Sequence, residues 1–367
     1  MRVVSPFLKK ILYPALSQAG AFRRGADGGL AVVTYHGVIP QGYEPVDPGF
    51  DGNLIPSESL IRQLRLLKSH YNLVAPDDVL AWREGRQELP PRAVLLTCDD
   101  GLVNCLTDML PVLQREDVRC LFFVTGASAG NARTMLWYEE LFLLFFRAPA
   151  VPFEISAAGV EIHGELRSQP ERRAIWWSAV KRLSQIDRET RELFVDAARK
   201  RLSMDVRPDF EAENLPSFRR FGLLTADEIR KLSAAGMTIG AHTLSHPVLS
   251  QAPSEIARVE ISGCKSVLES VLQMPVWALA YPFGDPHSVT SEVLAMAEAA
   301  GFQTAFLNYG GGLGADLPAF AMPRIHVTAD MSPAELEAHV SGFYGRLQKR
   351  AGRDSALVLR TSASRQS

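Results

Sequence analysis

The sequence predicts an α/β fold with a mainly parallel sheet. Short apolar runs of about five residues alternate with helical patterns, and several runs are apolar throughout, as strands buried on both faces are. Eight runs read as strands: Leu30–Tyr35, Tyr71–Val74, Ala93–Thr97, Cys120–Thr125, Met237–Ala241, Ala278–Tyr281, Gln303–Leu307 and Arg324–Val327. Helices lie between them. Ser57–Ser69 carries Leu60, Leu64 and Leu67 on one face. Thr225 and Glu228 have capping-box spacing ahead of Ile229 and Leu232. Ser254–Leu272 is long and amphipathic, and Ser332, Pro333 and Glu335 open the last helix with an N-cap, a first-turn proline and an N3 acid.

Residues 131–222 break the alternation. Leu136–Phe146, Ile175–Leu183 and Glu192–Leu202 read as helices with few strand signals between them, so this segment is expected to be a mostly helical insertion. Its neighbouring Trp176 and Trp177 read as buried helix packing, with stacking on a sugar as the alternative. The tail from Gly352 is rich in Ser and Arg and reads as disordered.

Composition narrows the function. With 39 Lys plus Arg against 41 Asp plus Glu, the net charge of −2 gives no support for bulk electrostatic binding of nucleic acid. The four cysteines, Cys98, Cys105, Cys120 and Cys264, form no CxxC pair, so neither a zinc ribbon nor a disulfide framework is implied. No apolar run approaches the roughly 18 residues that span a bilayer. Lys9 and Lys10 interrupt the first apolar run and Pro6 and Pro14 break it, so the N-terminus does not read as a secretory signal. A cytoplasmic location is expected. The amphipathic start, with Phe7, Leu8, Ile11, Leu12 and Leu16 beside Lys9, Lys10, Arg23 and Arg24, is expected to pack on the domain or to be disordered, with a place at the inner membrane surface as the alternative.

Three segments sit at predicted strand C-terminal ends, where parallel sheets place their sites. Thr97-Cys98-Asp99-Asp100-Gly101 sets two carboxylates side by side, which burial makes expensive without a cation. One can bind a metal and the other act as base for a water that the metal activates. His242-Thr243-Leu244-Ser245-His246 puts two imidazoles at i and i+4, one face of a helical turn, a spacing that chelates one ion. With Asp100 this makes a three-ligand set, which leaves positions open for water and substrate. Tyr281-Pro282-Phe283-Gly284 follows an apolar strand and offers one wall of a sugar pocket.

In this order the segments resemble the polysaccharide deacetylases, the NodB-homology carbohydrate esterases. The family's Thr-Phe-Asp-Asp-Gly stands here as Thr97-Cys98-Asp99-Asp100-Gly101, and its His-Ser/Thr-x-x-His as His242 to His246. Thr34-Tyr35-His36-Gly37-Val38 and Tyr281-Pro282-Phe283-Gly284 resemble the branch that includes the biofilm poly-N-acetylglucosamine deacetylases. The resemblance implies a distorted (β/α) barrel of seven or eight strands, with residues 30–130 and 223–350 as its two parts, 131–222 as the insertion, 1–29 as an N-terminal segment and 351–367 as a tail.

It also implies a metal-dependent N-deacetylase. Asp100, His242 and His246 would bind one divalent ion, zinc first, with nickel, cobalt or iron suited by the same donors. Asp99 would be the base, and backbone N–H groups near Tyr281–Phe283 would hold the oxyanion. The family's base-orienting arginine falls at Ala280, so it is missing, and Arg324 stands in by sequence order. His326, in Pro323-Arg324-Ile325-His326-Val327, takes the place of the family's acid histidine. His36, Tyr281, Pro282, Phe283 and Arg324 are the expected substrate-binding residues. The expected substrate is an N-acetylated glycan or a lipid-linked or nucleotide-linked amino sugar, met before export. The rival readings are hydrolysis of a small-molecule amide, a glycan-binding module without turnover, and a structural protein whose metal staples loops.

Overall fold

The computed structural model describes residues 7–23, 29–130, 132–150, 152–312, 314 and 317–350. Arg24 and the tail expected to be disordered lie outside these residues. Among the described residues ten strands form: β1 (Leu30–Tyr35), β2 (Asn72–Val74), β3 (Ala93–Cys98), β4 (Leu121–Val124), β5 (Pro152–Ala157), β6 (Val160–Glu165), β7 (Thr238–Ala241), β8 (Ala278–Ala280), β9 (Thr304–Gly310) and β10 (Met322–His326). Eight of them match the eight predicted runs to within a few residues.

Seven strands close a parallel barrel in the order β1, β3, β4, β7, β8, β9, β10 and back to β1. The eighth, β2, pairs with the first half of β3, on Ala93 to Leu95, while β4 takes its second half at Thr97 and Cys98. This is the (β/α) barrel that the motifs imply.

Side chains alternate across each strand, so every second residue enters the barrel. Leu30 and Val32 of β1, Ala93 and Leu95 of β3, Leu121 and Phe123 of β4, Ala278 and Ala280 of β8, Phe306 of β9 and Met322 of β10 pack together inside. The other set, such as Ala31, Val33, Val94, Leu96 and Phe122, packs outward against the helices. Both faces are buried, which is why these strands read as unbroken apolar runs. Each large aliphatic or aromatic side chain buried this way contributes about 1.5–3 kcal/mol.

The helices form as their caps specify. Thr225 N–H donates to Glu228 at 2.8 Å, opening the helix Ala226–Ala234, and Ser332 accepts from Glu335 N–H at 3.2 Å, opening Pro333–Val340. A further helix, Phe343–Arg350, follows it, and the N-terminal segment packs on both. Tyr13 and Phe22 are buried there, Lys9 pairs with Asp330 at 2.6 Å and Arg23 with Glu337 at 2.9 Å. Among the described residues no helix is long and apolar enough to cross a membrane.

Between β4 and β7 the chain leaves the barrel. It forms the helices Trp137–Arg147, Gln169–Leu183 and Arg188–Leu202, and also an element that the helical reading does not contain. β5 and β6 pair antiparallel through a two-residue turn, Ala158-Gly159, both with positive φ. Their inward residues Phe153, Ile155, Val160 and Ile162 are buried. The signal is present in the sequence as period-two alternation around an Ala-Gly turn. It is short and lies between three strong helical patterns.

Candidate active site

The inward register continues past the strand ends and delivers the polar residues to one mouth of the barrel. Leu30, Val32 and Thr34 are followed by His36; Ala93, Leu95 and Thr97 by Asp99; and Met322 by Arg324 and His326. His36, Asp99, Asp100, His242, His246, Phe283 and His326 all line one cleft, with a volume of about 400 Å³. Every residue expected to bind metal is therefore brought to the same place as the expected base.

Asp100, His242 and His246 are buried, and one donor atom from each lies within 4.8 Å of the other two. Nε2 of His242 is 3.5 Å from Asp100 Oδ1, and Nε2 of His246 is 3.4 Å from the same oxygen. His242 Nδ1 lies 2.8 Å from the Ala280 carbonyl. With the proton on Nδ1, that bond orients the ring and leaves the Nε2 lone pair free, as in metal-ligating histidines. Two imidazole nitrogens and one carboxylate oxygen, aimed at a common point and open to a cleft, fit a divalent ion with catalytic positions free.

Burial pushes the Asp100 carboxyl up, but the two imidazoles beside it hold it well below the ordinary carboxylate range. Burial lowers both histidines. Asp100 and Asp99 lift His242 back above its usual value, while His246 stays below.

The backbone at the cluster is unusual. The i, i+4 histidines do not sit on a helical turn, as their spacing suggested. Residues 242–246 form a loop in which Thr243 (φ 62°) and His246 (φ 58°) are left-handed. Asp100 (φ 78°) and Phe283 (φ 62°) share that conformation. Each costs roughly 1–3 kcal/mol and persists only where the surroundings over-determine it. The surroundings here are specific. Gly126 and Ala127 N–H groups donate to the Thr243 and Leu244 carbonyls at 2.9 and 2.8 Å, Trp137 Nε1 to the Ser245 carbonyl at 2.8 Å, and Arg191 to Ser245 Oγ at 2.7 Å. After Asp100, Gly101 is also left-handed, and a Cβ there would come 2.8 Å from Val124 Cγ1. That explains the glycine of the Asp-Asp-Gly motif.

Asp99 is held by Arg324. The guanidinium grips the carboxylate in a bidentate pair, Nη1 to Oδ1 at 2.6 Å and Nη2 to Oδ2 at 2.5 Å. Arg324 also donates to Thr97 Oγ1 at 3.1 Å and to the Leu307 carbonyl at 2.8 Å. Burial pushes the Asp99 carboxyl up, and Arg324 with His242 brings it below its ordinary range, so it is ionised. The arginine absent at position 280 is thus supplied from β10. Ala280 faces the barrel interior, as the guanidinium does, and its small side chain leaves space at that position. Expected at the substrate, Arg324 is instead buried against the base, with four of its five N–H donors engaged, and it is not among the residues that line the cleft.

Two further expectations change. The Tyr281 ring is buried and its hydroxyl donates to the Phe320 carbonyl at 3.0 Å, and Pro282 is buried, so of the proposed wall only Phe283 lines the cleft. The Tyr281 N–H is bonded to the Phe306 carbonyl at 3.1 Å and proline has none. Of the three backbone groups expected to hold an oxyanion, only the Phe283 N–H remains unengaged among the described residues. His36 and His326 do face the cleft, their rings 4.9 Å apart, with His36 Nδ1 and His326 Nε2 buried and unpartnered. Burial pushes His326 down to about 3, so it is neutral at neutral pH and does not enter the reaction already carrying a proton.

The insertion completes the cleft with residues that the motifs do not announce. Tyr138, Glu139, Trp176, Trp177 and Arg220 line it. Trp176 donates to the Tyr138 carbonyl at 2.7 Å and packs edge-on against Phe50 and Phe142, while Trp177 lies 5.4 Å from Phe283 with 36% of its surface exposed. The aromatic pair was the visible signal; its placement needed the fold.

Residues 86–171 and 208–305 match the polysaccharide deacetylase family model, so the chain belongs to the polysaccharide deacetylase family. Its fold is similar to that of the Streptococcus pyogenes deacetylase PplD solved with acetate (TM-score 0.52, 16% identity, 86% of this chain and 99% of that one). It is likewise similar to IcaB from Ammonifex degensii (TM-score 0.51, 18% identity, 85% and 96%). YxkH of Bacillus subtilis, named as a polysaccharide deacetylase, is 23% identical over 120 residues, 33% of this chain. The match spans 42% of YxkH, less than half of that relative's length.

Proposed function

We propose that this protein is a metal-dependent hydrolase that removes the N-acetyl group from an N-acetylated amino sugar in a glycan or a glycan precursor. The observation that carries this reading is the ionised Asp99, clamped by Arg324 immediately beside the buried Asp100, His242 and His246 cluster. A binding module needs no oriented base next to a ligand set. Asp100, His242 and His246 would hold one divalent ion, for which zinc is our proposal. Bound there, the ion supplies Lewis acidity toward the acetyl carbonyl and makes water a better nucleophile.

The chain's own residues do the proton work. Asp99 accepts a proton as the water oxygen bonds to the acetyl carbon and the carbonyl electron pair moves onto oxygen. When that pair returns, the C–N bond breaks and the amine nitrogen takes a proton. His326, which lines the same cleft with its Nε2 unpartnered, is the group we assign to pass that proton from Asp99 to the amine. Acetate and a free amino sugar leave. Trp177 and Phe283 offer apolar faces for the sugar ring. Phe7 and Ile11, exposed on the N-terminal helices, suit a substrate presented on a membrane surface.

The test is acetate release by metal-loaded protein from N-acetylglucosamine oligomers and from lipid-linked and nucleotide-linked N-acetylhexosamines. Asp99→Asn should lower kcat by about 10²–10⁴-fold while metal content stays unchanged. Activity that survives this substitution removes Asp99 as the base, and no acetate from any substrate removes the deacetylase reading.

A further inference from the structure

Tyr138 is the second residue of the insertion helix Trp137–Arg147, outside the deacetylase motifs, yet it lies against the metal-binding cluster. Its ring is 4.9 Å from the His246 ring, tilted 35°, and 5.6 Å from Phe283, so it spans from an expected metal ligand to the loop that carries the unengaged Phe283 N–H. Its position is fixed from both sides. Trp137 bonds to the Ser245 carbonyl, and the Tyr138 carbonyl accepts the Trp176 indole. The side chain is 9% exposed and lines the cleft beside Asp99 and Asp100. Its hydroxyl makes no hydrogen bond among the described residues. The hydroxyl oxygen is not among the buried unpartnered atoms, so it is open to the cleft and free to take a partner there. The Tyr35 hydroxyl bonds Gln63 and the Tyr281 hydroxyl bonds the Phe320 carbonyl, whereas those of Tyr13 and Tyr71 are buried without a partner and away from the cleft.

The cleft also lacks something. Hydrolysis of an amide develops negative charge on the carbonyl oxygen, and fixed donors aimed at that oxygen are a large part of catalysis. The Tyr281 N–H is spent within the sheet and Pro282 contributes none, so of positions 281–283 only Phe283 offers a backbone donor among the described residues.

We infer that the Tyr138 hydroxyl donates a hydrogen bond to the acetyl oxygen as it becomes an oxyanion, together with the Phe283 N–H. This rests on the deacetylase reading above. The phenol proton is shared with the oxygen and not transferred; when the carbonyl re-forms, the bond weakens and acetate departs. The helical insertion is then part of the catalytic apparatus and not only a wall.

Tyr138→Phe keeps the ring and removes the hydroxyl. On a substrate that wild type turns over, kcat should fall about 100-fold, the scale of losing one oxyanion donor, with KM, metal content and thermal midpoint near wild type. Acetate, titrated into metal-loaded protein, should bind roughly five-fold more weakly to the variant, about the effect of one hydrogen bond. Unchanged kcat or unchanged acetate affinity overturns the inference. If wild type releases no acetate from any sugar, the deacetylase reading has failed, and the acetate titration still decides whether Tyr138 donates to an acetyl oxygen in this cleft.

Discussion

Asp99 and Arg324 define the chemistry at the scale of single residues. A bidentate arginine fixes both carboxylate oxygens in one plane, which a lysine cannot do. Arg324→Lys should therefore lower kcat by at least about tenfold and leave metal content intact, with kcat and metal stoichiometry measured on the same preparation. Metal loss in that variant would mean that Arg324 supports the cluster as a whole. Asp99, Asp100, His242 and His246 were legible because their spacings are local. Arg324 was legible only as a candidate, because nothing in a sequence tells that β10 closes on β1 and brings position 324 beside position 99. Tyr138 was not legible at all: its neighbours His246 and Phe283 are more than a hundred residues away.

At the scale of elements, the insertion is tied to the barrel by a buried charge network. Arg220 bonds Asp51 at 2.7 Å and Glu139 at 2.9 and 3.2 Å, with all three side chains buried. Arg220→Ala leaves two buried carboxylates without their cation and should cost about 3–5 kcal/mol in denaturant unfolding. A loss below about 1 kcal/mol would show that water or rearrangement replaces the guanidinium. Burial pushes the Glu139 carboxyl up to about 7, even though Arg220 partly offsets it. Its folded value lies above its unfolded one, so the folded state holds the extra proton between them. Its contribution to stability is complete below about 4.5 and is lost as pH rises through about 7. Wild type should thus lose more stability than Glu139→Gln between pH 5 and pH 8, compared by denaturant midpoints; equal losses would contradict the raised value. The three helices here were visible through their long periodic patterns. The β5–β6 hairpin was not, because six-residue strands beside stronger helical signals carry little periodicity of their own.

On the scale of the whole molecule, one geometric fact organises the rest. The two-residue alternation that fills the barrel with Leu30, Val32, Ala93, Leu95 and Met322 also carries His36, Asp99, Arg324 and His326 to its mouth. Packing and chemistry share one register, so a one-residue slip in a strand would exchange its barrel-facing and helix-facing residues and misplace the site with them. The barrel was legible as eight apolar runs because parallel strands are buried on both faces. Its closure was legible only through the resemblance that the motifs carry, and the depth of the cleft was not, since both depend on pairings between distant segments.

The central claim is that Asp100, His242 and His246 form one metal site beside an oriented base. It is tested most directly by metal stoichiometry. Protein stripped by chelator and dialysed against zinc, cobalt or nickel should take up one ion per chain, and Asp100→Ala and His242→Ala should each take up none while remaining folded. No stoichiometric ion in the wild type, or the same uptake in both variants, would contradict it.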